Sequence, residues 1–169
     1  MVPVPASEQE WAETVSRFEQ ERVDPVWKAW LNQTFLEKGP IPASELRDTA
    51  LAFMMDRATS ACNRVRADFV ATTGMALRIE PVFEHGGVRV KVGNTVASGT
   101  PLMAIEDENL AVEVADAAQE EIIEARWSVW PECPHHPNGL HPQLTEEGGS
   151  WICRVGDHRV GEIGKLGEM

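Results

Sequence analysis

The sequence lacks the features that would place it in a membrane or in a secretory pathway. No apolar run approaches the ~20 residues that a membrane-spanning helix needs. The N-terminal segment MVPVPASEQEW has neither a basic start nor an apolar stretch, so we expect no secretory signal. These absences favour a cytoplasmic protein that does not bind membranes.

Basic residues are also scarce in this chain. Fifteen Lys and Arg stand against 27 Asp and Glu, which gives a net charge of −12 over 169 residues. Residues 76–128 carry the largest part of this net negative charge, with four basic and ten acidic side chains. A phosphate backbone would be repelled almost everywhere, so direct nucleic-acid binding is disfavoured. The acidity indicates either a soluble surface or a decoy or regulator of a basic partner.

Common catalytic and nucleotide-binding motifs are missing. The sequence contains no G-x-x-x-x-G-K-[ST] loop, no G-x-G-x-x-G after a strand and no G-x-S-x-G elbow. We therefore expect a non-enzymatic protein more than an enzyme.

Cysteine is too rare, and odd in number, for a disulfide scaffold. Cys62 lies alone among helix-forming residues, where we expect it to pack as a small apolar side chain. The other two cysteines fall within the last 37 residues, together with four of the five histidines. This clustering points to a metal site whose candidate ligands are Cys133, Cys153, His135, His136, His141 and His158.

Apolar residues spaced three and four apart predict helices near residues 8–23, 25–38, 43–73 and 107–127. Four aromatic residues on these stripes are predicted to be core: Trp27, Trp30, Phe53 and Phe69. Apolar and polar residues then alternate over 77–84 and 88–92 around a Gly-Gly turn, which predicts a β-hairpin. Pro81 cannot donate to a ladder, so its strand is predicted at an edge or with a bulge. A further strand is expected over 101–105.

The fourth predicted helix is strongly acidic. Leu110, Val114, Ala118 and Ile122 recur every four residues and predict its buried face. The acids on the remaining surface favour a solvated face over a cation site; they are Glu113, Asp116, Glu120, Glu121 and Glu124.

Two short-spaced pairs of metal-binding side chains stand near the C-terminus. Cys133 with His136 forms C-x2-H, and Cys153 with His158 forms C-x4-H after a gap of sixteen residues. Zinc prefers four tetrahedral ligands drawn from thiolate and imidazole, and tight turns can aim two such pairs at one point. The gap accommodates a strand, a turn at Gly148–Gly149 and a returning strand. We therefore expect a structural zinc, with His135 or His141 as substitutes for either histidine.

Residues 130–166 resemble zinc-ribbon modules, in which two knuckles on neighbouring β-turns hold one zinc. The sequence departs from the usual pattern of two C-x2-C pairs, because His136 replaces one cysteine and Gly156 stands at the x2 position of the second knuckle. A shift in composition near Val129 predicts a division into residues 1–128, a helical body with a β-hairpin, and residues 129–169, a ribbon-like module. The fold class expected is α+β: an N-terminal helical hairpin or small bundle, a β-hairpin, an acidic helix and a small C-terminal β module.

Two other interpretations of the C-terminal segment stay open. It can be a metal-free remnant of a ribbon with a small core of its own, or its turns and histidines can coincide by chance. The residues expected in such a core are Trp130, Trp151, Val160, Ile163 and Leu166.

The function expected is that of a protein–protein interaction or assembly protein with a structural zinc or vestigial ribbon. Its partner is then another protein. An acidic decoy of a basic partner is the first alternative. A zinc-dependent hydrolase, with His135, His136 and His141 as ligands and Glu146 or Glu147 as base, is the second.

Overall fold

The computed structural model describes residues 8–21 and 25–168. The α+β class is confirmed, with four helices and two small antiparallel sheets in the described residues. The elements in chain order are α1 Glu8–Glu21, α2 Pro25–Lys38, α3 Ala43–Thr73, β1 Ile79–Glu84, β2 Gly87–Val92, β3 Thr95–Val96, α4 Asp107–Arg126, β4 Leu140–Thr145, β5 Gly148–Cys153, β6 His158–Glu162 and a short 3-10 turn Leu166–Glu168. The predicted helix bounds agree with these to within one or two residues, while the end predicted for α1 at residue 23 lies outside the described residues.

The chain divides into two compact units, one up to Met54 and one from Met55 onward. In the first unit, Trp27 is buried and its ring meets those of Trp30 and Phe53 at centroid distances of 5.4 and 5.8 Å. Trp30 and Phe53 are only half-buried. The prediction that these aromatics are core residues is therefore correct for Trp27, whereas it overestimates the burial of the other two. A second group of buried residues there is Trp11, Leu31, Ile41 and Leu46.

The unit from Met55 onward contains both sheets and α4. Phe69 is buried in it, as predicted, and so is Cys62, which is 1% exposed. Burial raises the pKa of the Cys62 thiol to about 12, so this residue packs as a neutral side chain. The predicted boundary at residue 129 falls inside this unit and stays a prediction.

The first sheet has the order β1-β2-β3 and is antiparallel throughout. Val88, Val90 and Val92 are the buried positions of β2, in the predicted alternation. Pro81 lies in β1, an edge strand of this sheet, which leaves its missing amide without consequence.

The strand predicted over residues 101–105 is absent, and β3 stands at Thr95–Val96 instead. The reason is a competing acceptor. The Glu113 carboxylate takes hydrogen bonds from the backbone amides of Met103 and Ala104, at 2.8 and 3.1 Å. Those amides therefore do not enter a ladder.

The second sheet has the order β4-β5-β6 and is also antiparallel. The turn joining β4 to β5 is at Glu146–Glu147, so the turn predicted at Gly148–Gly149 is two residues too late. These glycines begin β5 because the strand passes close to α4, where a Cβ on Gly149 would be 3.1 Å from the backbone oxygen of Glu108. Throughout 8–21 and 25–168, the helices are all too short or too polar to cross a bilayer.

Candidate metal centre

Four predicted ligands come together at one end of the second sheet: Cys133, His136, Cys153 and His158, which we call the Cys/His cluster. Cys153 ends β5 and His158 begins β6, where the two are paired across the strands. Cys133 and His136 lie on the loop before β4. That loop is closed by hydrogen bonds from the Cys133 amide to the Asn138 carbonyl and from the Asn138 amide to the His136 carbonyl.

The distances within the Cys/His cluster suit a single metal ion. His136 Nδ1 lies 3.6 Å from Cys133 Sγ and 3.4 Å from Cys153 Sγ, and His158 Nε2 lies 3.6 Å from Cys133 Sγ. All four ligand atoms are within 4.8 Å of one another. Tetrahedral zinc with bonds of ~2.3 Å to sulfur and ~2.0 Å to nitrogen places these two atom types about 3.5 Å apart. The geometry is therefore compatible with a metal site.

The two sulfur atoms are shielded while the imidazoles remain partly accessible. Cys133 and Cys153 are 6% and 0% exposed and form no disulfide, whereas both histidines are half-buried. Burial raises the pKa of the Cys133 thiol, but hydrogen bonds from the His135 amide, the Cys153 thiol and the His136 amide outweigh it and lower the pKa overall. The lowered pKa makes it easier for Cys133 to lose the proton that a metal ion would displace.

The pKa of the Cys153 thiol is shifted in the opposite direction. Burial, together with its hydrogen bond to Cys133, raises the pKa of the Cys153 thiol, and a backbone hydrogen bond at Val155 only partly offsets this. Two neighbouring thiols cannot both ionise cheaply, because the second negative charge is repelled by the first. A divalent cation would remove that conflict.

Gly156 explains how the longer C-x4-H loop reaches back. Its φ is +95°, a conformation that favours glycine, and Asp157 follows with φ +45°. A Cβ on Gly156 would lie 3.3 Å from His136 Cε1 and 3.5 Å from His158 Nδ1. The missing side chain leaves room for both imidazoles.

The alternative ligands lie outside the Cys/His cluster. His135 is exposed and its ring centroid is 5.8 Å from that of His158, while His141 is paired with Ile152 in the sheet. Burial, with the charge of Arg154, lowers the pKa of His141. Glu146 and Glu147 lie at the other end of the β4–β5 hairpin, five register steps from Cys153, or about 17 Å at the rise of a strand.

A buried carboxylate holds the second sheet and the C-terminal turn on α3. Asp68 is 0% exposed and accepts hydrogen bonds from Trp151 Nε1, the Gly164 amide and the Leu166 amide at 2.7, 2.7 and 2.8 Å. Burial raises the pKa of Asp68 above its ordinary 3.8, against the lowering effect of these donors. Our reading of the sequence missed this residue, although a carboxylate three residues after Val65 on an apolar stripe is a signal that could have identified it.

A buried amide performs a similar role on α4. Gln119 is 7% exposed, and its Nε2 donates to the carbonyls of Trp130 and Leu140 at 2.8 and 2.7 Å. Trp130 packs between Phe69 and Trp151, with ring centroids at 5.5 and 5.6 Å. The loop that carries Cys133 and His136 is thereby fixed on both sides.

An ion pair holds the start of β5. Arg64 binds both carboxylate oxygens of Glu108, at 2.9 and 3.1 Å, and donates from Nε to the carbonyl of Ile163 at 2.9 Å. Glu108 also accepts the Gly149 amide at 2.7 Å. The Arg64 guanidinium lowers the pKa of Glu108 below its ordinary 4.5.

Comparison of the chain with protein-family models, with curated proteins and with solved structures found no match.

Proposed function

We propose that this chain is a non-enzymatic protein–protein interaction or assembly protein whose C-terminal part is a zinc-ribbon-like module with one structural zinc. The observation that carries the proposal is the Cys/His cluster, with four ligand atoms within 4.8 Å and both sulfurs buried. Two thiolates and two imidazoles are a ligand set that zinc prefers. Residues 133–158 then fold around the ion.

A structural role fits this ligand set better than a hydrolytic one. A catalytic zinc keeps one position open for water and needs a base beside it. Here four protein ligands complete the tetrahedron, and the two glutamates considered as base, Glu146 and Glu147, lie at the far end of the hairpin. The geometry therefore favours a closed site.

The first test is metal analysis of the purified chain. We expect one zinc per chain, with X-ray absorption showing two sulfur and two nitrogen neighbours at ~2.3 and ~2.0 Å. Cys153→Ser should lose the zinc, whereas Cys62→Ala, which removes the third buried cysteine, should retain it. A metal-free wild-type chain would overturn the zinc part of the proposal.

The second test is removal of the metal by a chelator, followed by amide hydrogen exchange. Ligands must lose protons to bind zinc, and structural zinc can contribute on the order of 10 kcal/mol to the folding of a small module. We expect faster exchange in residues 130–166 and unchanged exchange in β1 and β2, which contribute no ligand. Equal protection with and without chelator would instead identify a metal-free module.

A further inference from the structure

The outward face of α4 carries a stripe of exposed residues with two halves of different chemistry. Asp116, Glu120, Ile123 and Trp127, which we call the outer stripe, follow one another at spacings of four, three and four residues, and all are exposed. Asp116, Glu120 and Ile123 lie along one line of the helix, and Trp127 follows them as the left-handed residue that ends it. This line is opposite the buried face, which is formed by Leu110, Val114, Ala118 and Ile122. The N-terminal half is acidic and the C-terminal half is apolar.

The presence of tryptophan at position 127 is not explained by a contribution to the stability of the fold. It is the C-cap of α4 with φ +52°, a position where glycine is favoured, and its amide donates to the Ile123 carbonyl. Its side chain is 92% exposed, so it buries almost no apolar surface. The neighbouring Arg126, in contrast, lies over the Phe69 ring and contacts Met75 Sδ. Tryptophan is enriched among the residues that carry most of the binding energy at protein interfaces.

The acidic half borders a small cavity. A hollow of about 190 Å³ lies between α4 and the preceding loop, lined by Gly99, Pro101, Glu113, Asp116 and Glu120 among others. Glu113 is engaged by the amides of Met103 and Ala104. Asp116 and Glu120 form no ion pair with any residue of 8–21 or 25–168. The hollow is smaller than a typical small-molecule site of ~300–1,000 Å³ and suits one long side chain.

We infer that the outer stripe binds a basic amphipathic helix of a partner protein. Lysine or arginine side chains of that helix pair with Asp116 and Glu120, one of them entering the hollow, and its apolar residues cover Ile123 and Trp127. The 4-3-4 spacing is the repeat with which two helices pack along one another. This inference rests on the proposed interaction function and names the chemistry of the partner.

Charge decides between this occupant and a second copy of the chain. Residues 76–128 carry a net charge of −6, so a basic helix is complementary to the surface. Two copies meeting in parallel would oppose carboxylates with carboxylates, and two meeting antiparallel would oppose them with Trp127. Neither arrangement neutralises Asp116 and Glu120.

The probe is a synthetic helical peptide of about 18 residues with leucine at alternating three- and four-residue spacings and lysine elsewhere. Binding to the full chain is measured by anisotropy of the labelled peptide at low and at physiological salt. A scrambled peptide of equal composition, which has no apolar stripe, is the peptide control. We expect the helical peptide to bind at least about tenfold more tightly than the scrambled one.

Matched variants separate the outer stripe from general acidity. Trp127→Ala and the double variant Asp116→Lys/Glu120→Lys should each weaken binding at least about tenfold. The controls are Phe83→Ala, another exposed aromatic, and Glu84→Lys/Glu146→Lys, which changes the net charge equally. These should change binding less than about twofold. Circular dichroism confirms that each variant is folded.

Three outcomes overturn the inference. Equal losses of peptide affinity in the two charge-matched double variants would show unspecific charge attraction. Equal binding of the helical and the scrambled peptide would show that the protein does not recognise an apolar helical face. A dimer that Trp127→Ala converts to a monomer in sedimentation would show that a second copy covers the stripe. Zinc content measured on the same samples tests the metal centre separately, so failure of either proposal is visible on its own.

Discussion

The two sheets of the unit that begins at Met55 both have three strands in sequential order but are stabilised by different means. In the first, β2 alternates buried valines with half-buried residues, in the usual pattern of a strand with one face on the core. In the second, every residue of β5 after Gly148 is buried. Its buried polar groups must therefore all find partners.

That difference shows where each sheet obtains its specificity. Burial of Val88, Val90 and Val92 stabilises the first sheet without requiring a particular partner atom. The second depends on single hydrogen bonds, such as that from Trp151 to Asp68, and on the Cys/His cluster. We expect the second sheet to be more sensitive to single substitutions of polar residues.

The largest expected effect comes from Asp68→Ala. It leaves the Trp151 indole and the amides of Gly164 and Leu166 without their acceptor, and each buried unpaired donor costs about 1–3 kcal/mol. We expect a loss of about 3–5 kcal/mol in the free energy of unfolding, measured in urea. Asp56→Ala, on an exposed position of the same helix, is the control and should change stability by less than about 0.5 kcal/mol. A small loss at Asp68 would remove the distinction drawn between the sheets.

A smaller effect is expected from Gly156→Ala, with Gly86→Ala in the turn between β1 and β2 as its matched counterpart. Both glycines have positive φ, +95° and +79°, so each substitution costs about 1–2 kcal/mol of backbone strain. Only the Cβ at Gly156 would press on an imidazole, that of His136 at 3.3 Å, while that at Gly86 meets nothing within 4 Å. We expect zinc affinity, measured by competition with a chromophoric chelator, to fall about tenfold in Gly156→Ala alone. Equal affinities in the two variants would show that Gly156 serves only the turn.

The smallest effect concerns pH. Arg64 lowers the pKa of Glu108, so the charged carboxylate stabilises the fold above pH 4.5 and this contribution is lost as the pH falls through the lowered value. Because the Glu108 side chain is 38% exposed, solvent screening keeps the stabilisation by this ion pair below about 1 kcal/mol. Glu108→Gln should therefore flatten the fall in stability on acidification, with Glu124→Gln as control. An unchanged pH profile would show that the ion pair does not hold β5.

The effect of Asp68 on the pH dependence of stability is opposite in sign to that of Glu108. Its pKa is raised, mainly by burial. The stability that the protonated Asp68 contributes is therefore fully present below pH 3.8 and is lost as the pH rises through the raised pKa. The comparison of Glu108→Gln with wild type cancels this background, since Asp68 is present in both.

Much of this fold could be predicted from local periodicity. The helices and the hairpin of the first sheet follow from apolar spacing and from Gly-Gly and Asp-Pro signals that act over a few residues. The predicted core positions Trp30 and Phe53 are half-buried because periodicity gives the direction of a side chain but not the depth of the layer that covers it. The strand predicted over 101–105 failed because the side chain of Glu113, on the helix that follows, accepts the amides of Met103 and Ala104.

The candidate site shows the same division. The pairing of Cys133 with His136 and of Cys153 with His158 was proposed from spacing, and the structure brings these four side chains together. The position of Asp68 on an apolar stripe indicates that it is buried, but neither Asp68 nor Gln119 stands in a local motif that names its hydrogen-bond partners. Only the tertiary structure reveals their hydrogen bonds.

The partners of Asp68 also set an order of events during synthesis. Trp151, Gly164 and Leu166 follow it by 83, 96 and 98 residues. At ~5–20 residues per second, a ribosome adds the last of them roughly 5–20 s after Asp68. For that time the Asp68 carboxylate lacks its full set of three donors, while α3, whose helical hydrogen bonds are local, can already form. The hydrogen bonds that join Asp68 to the second sheet and to the short 3-10 turn can therefore form only after Leu166 has been added.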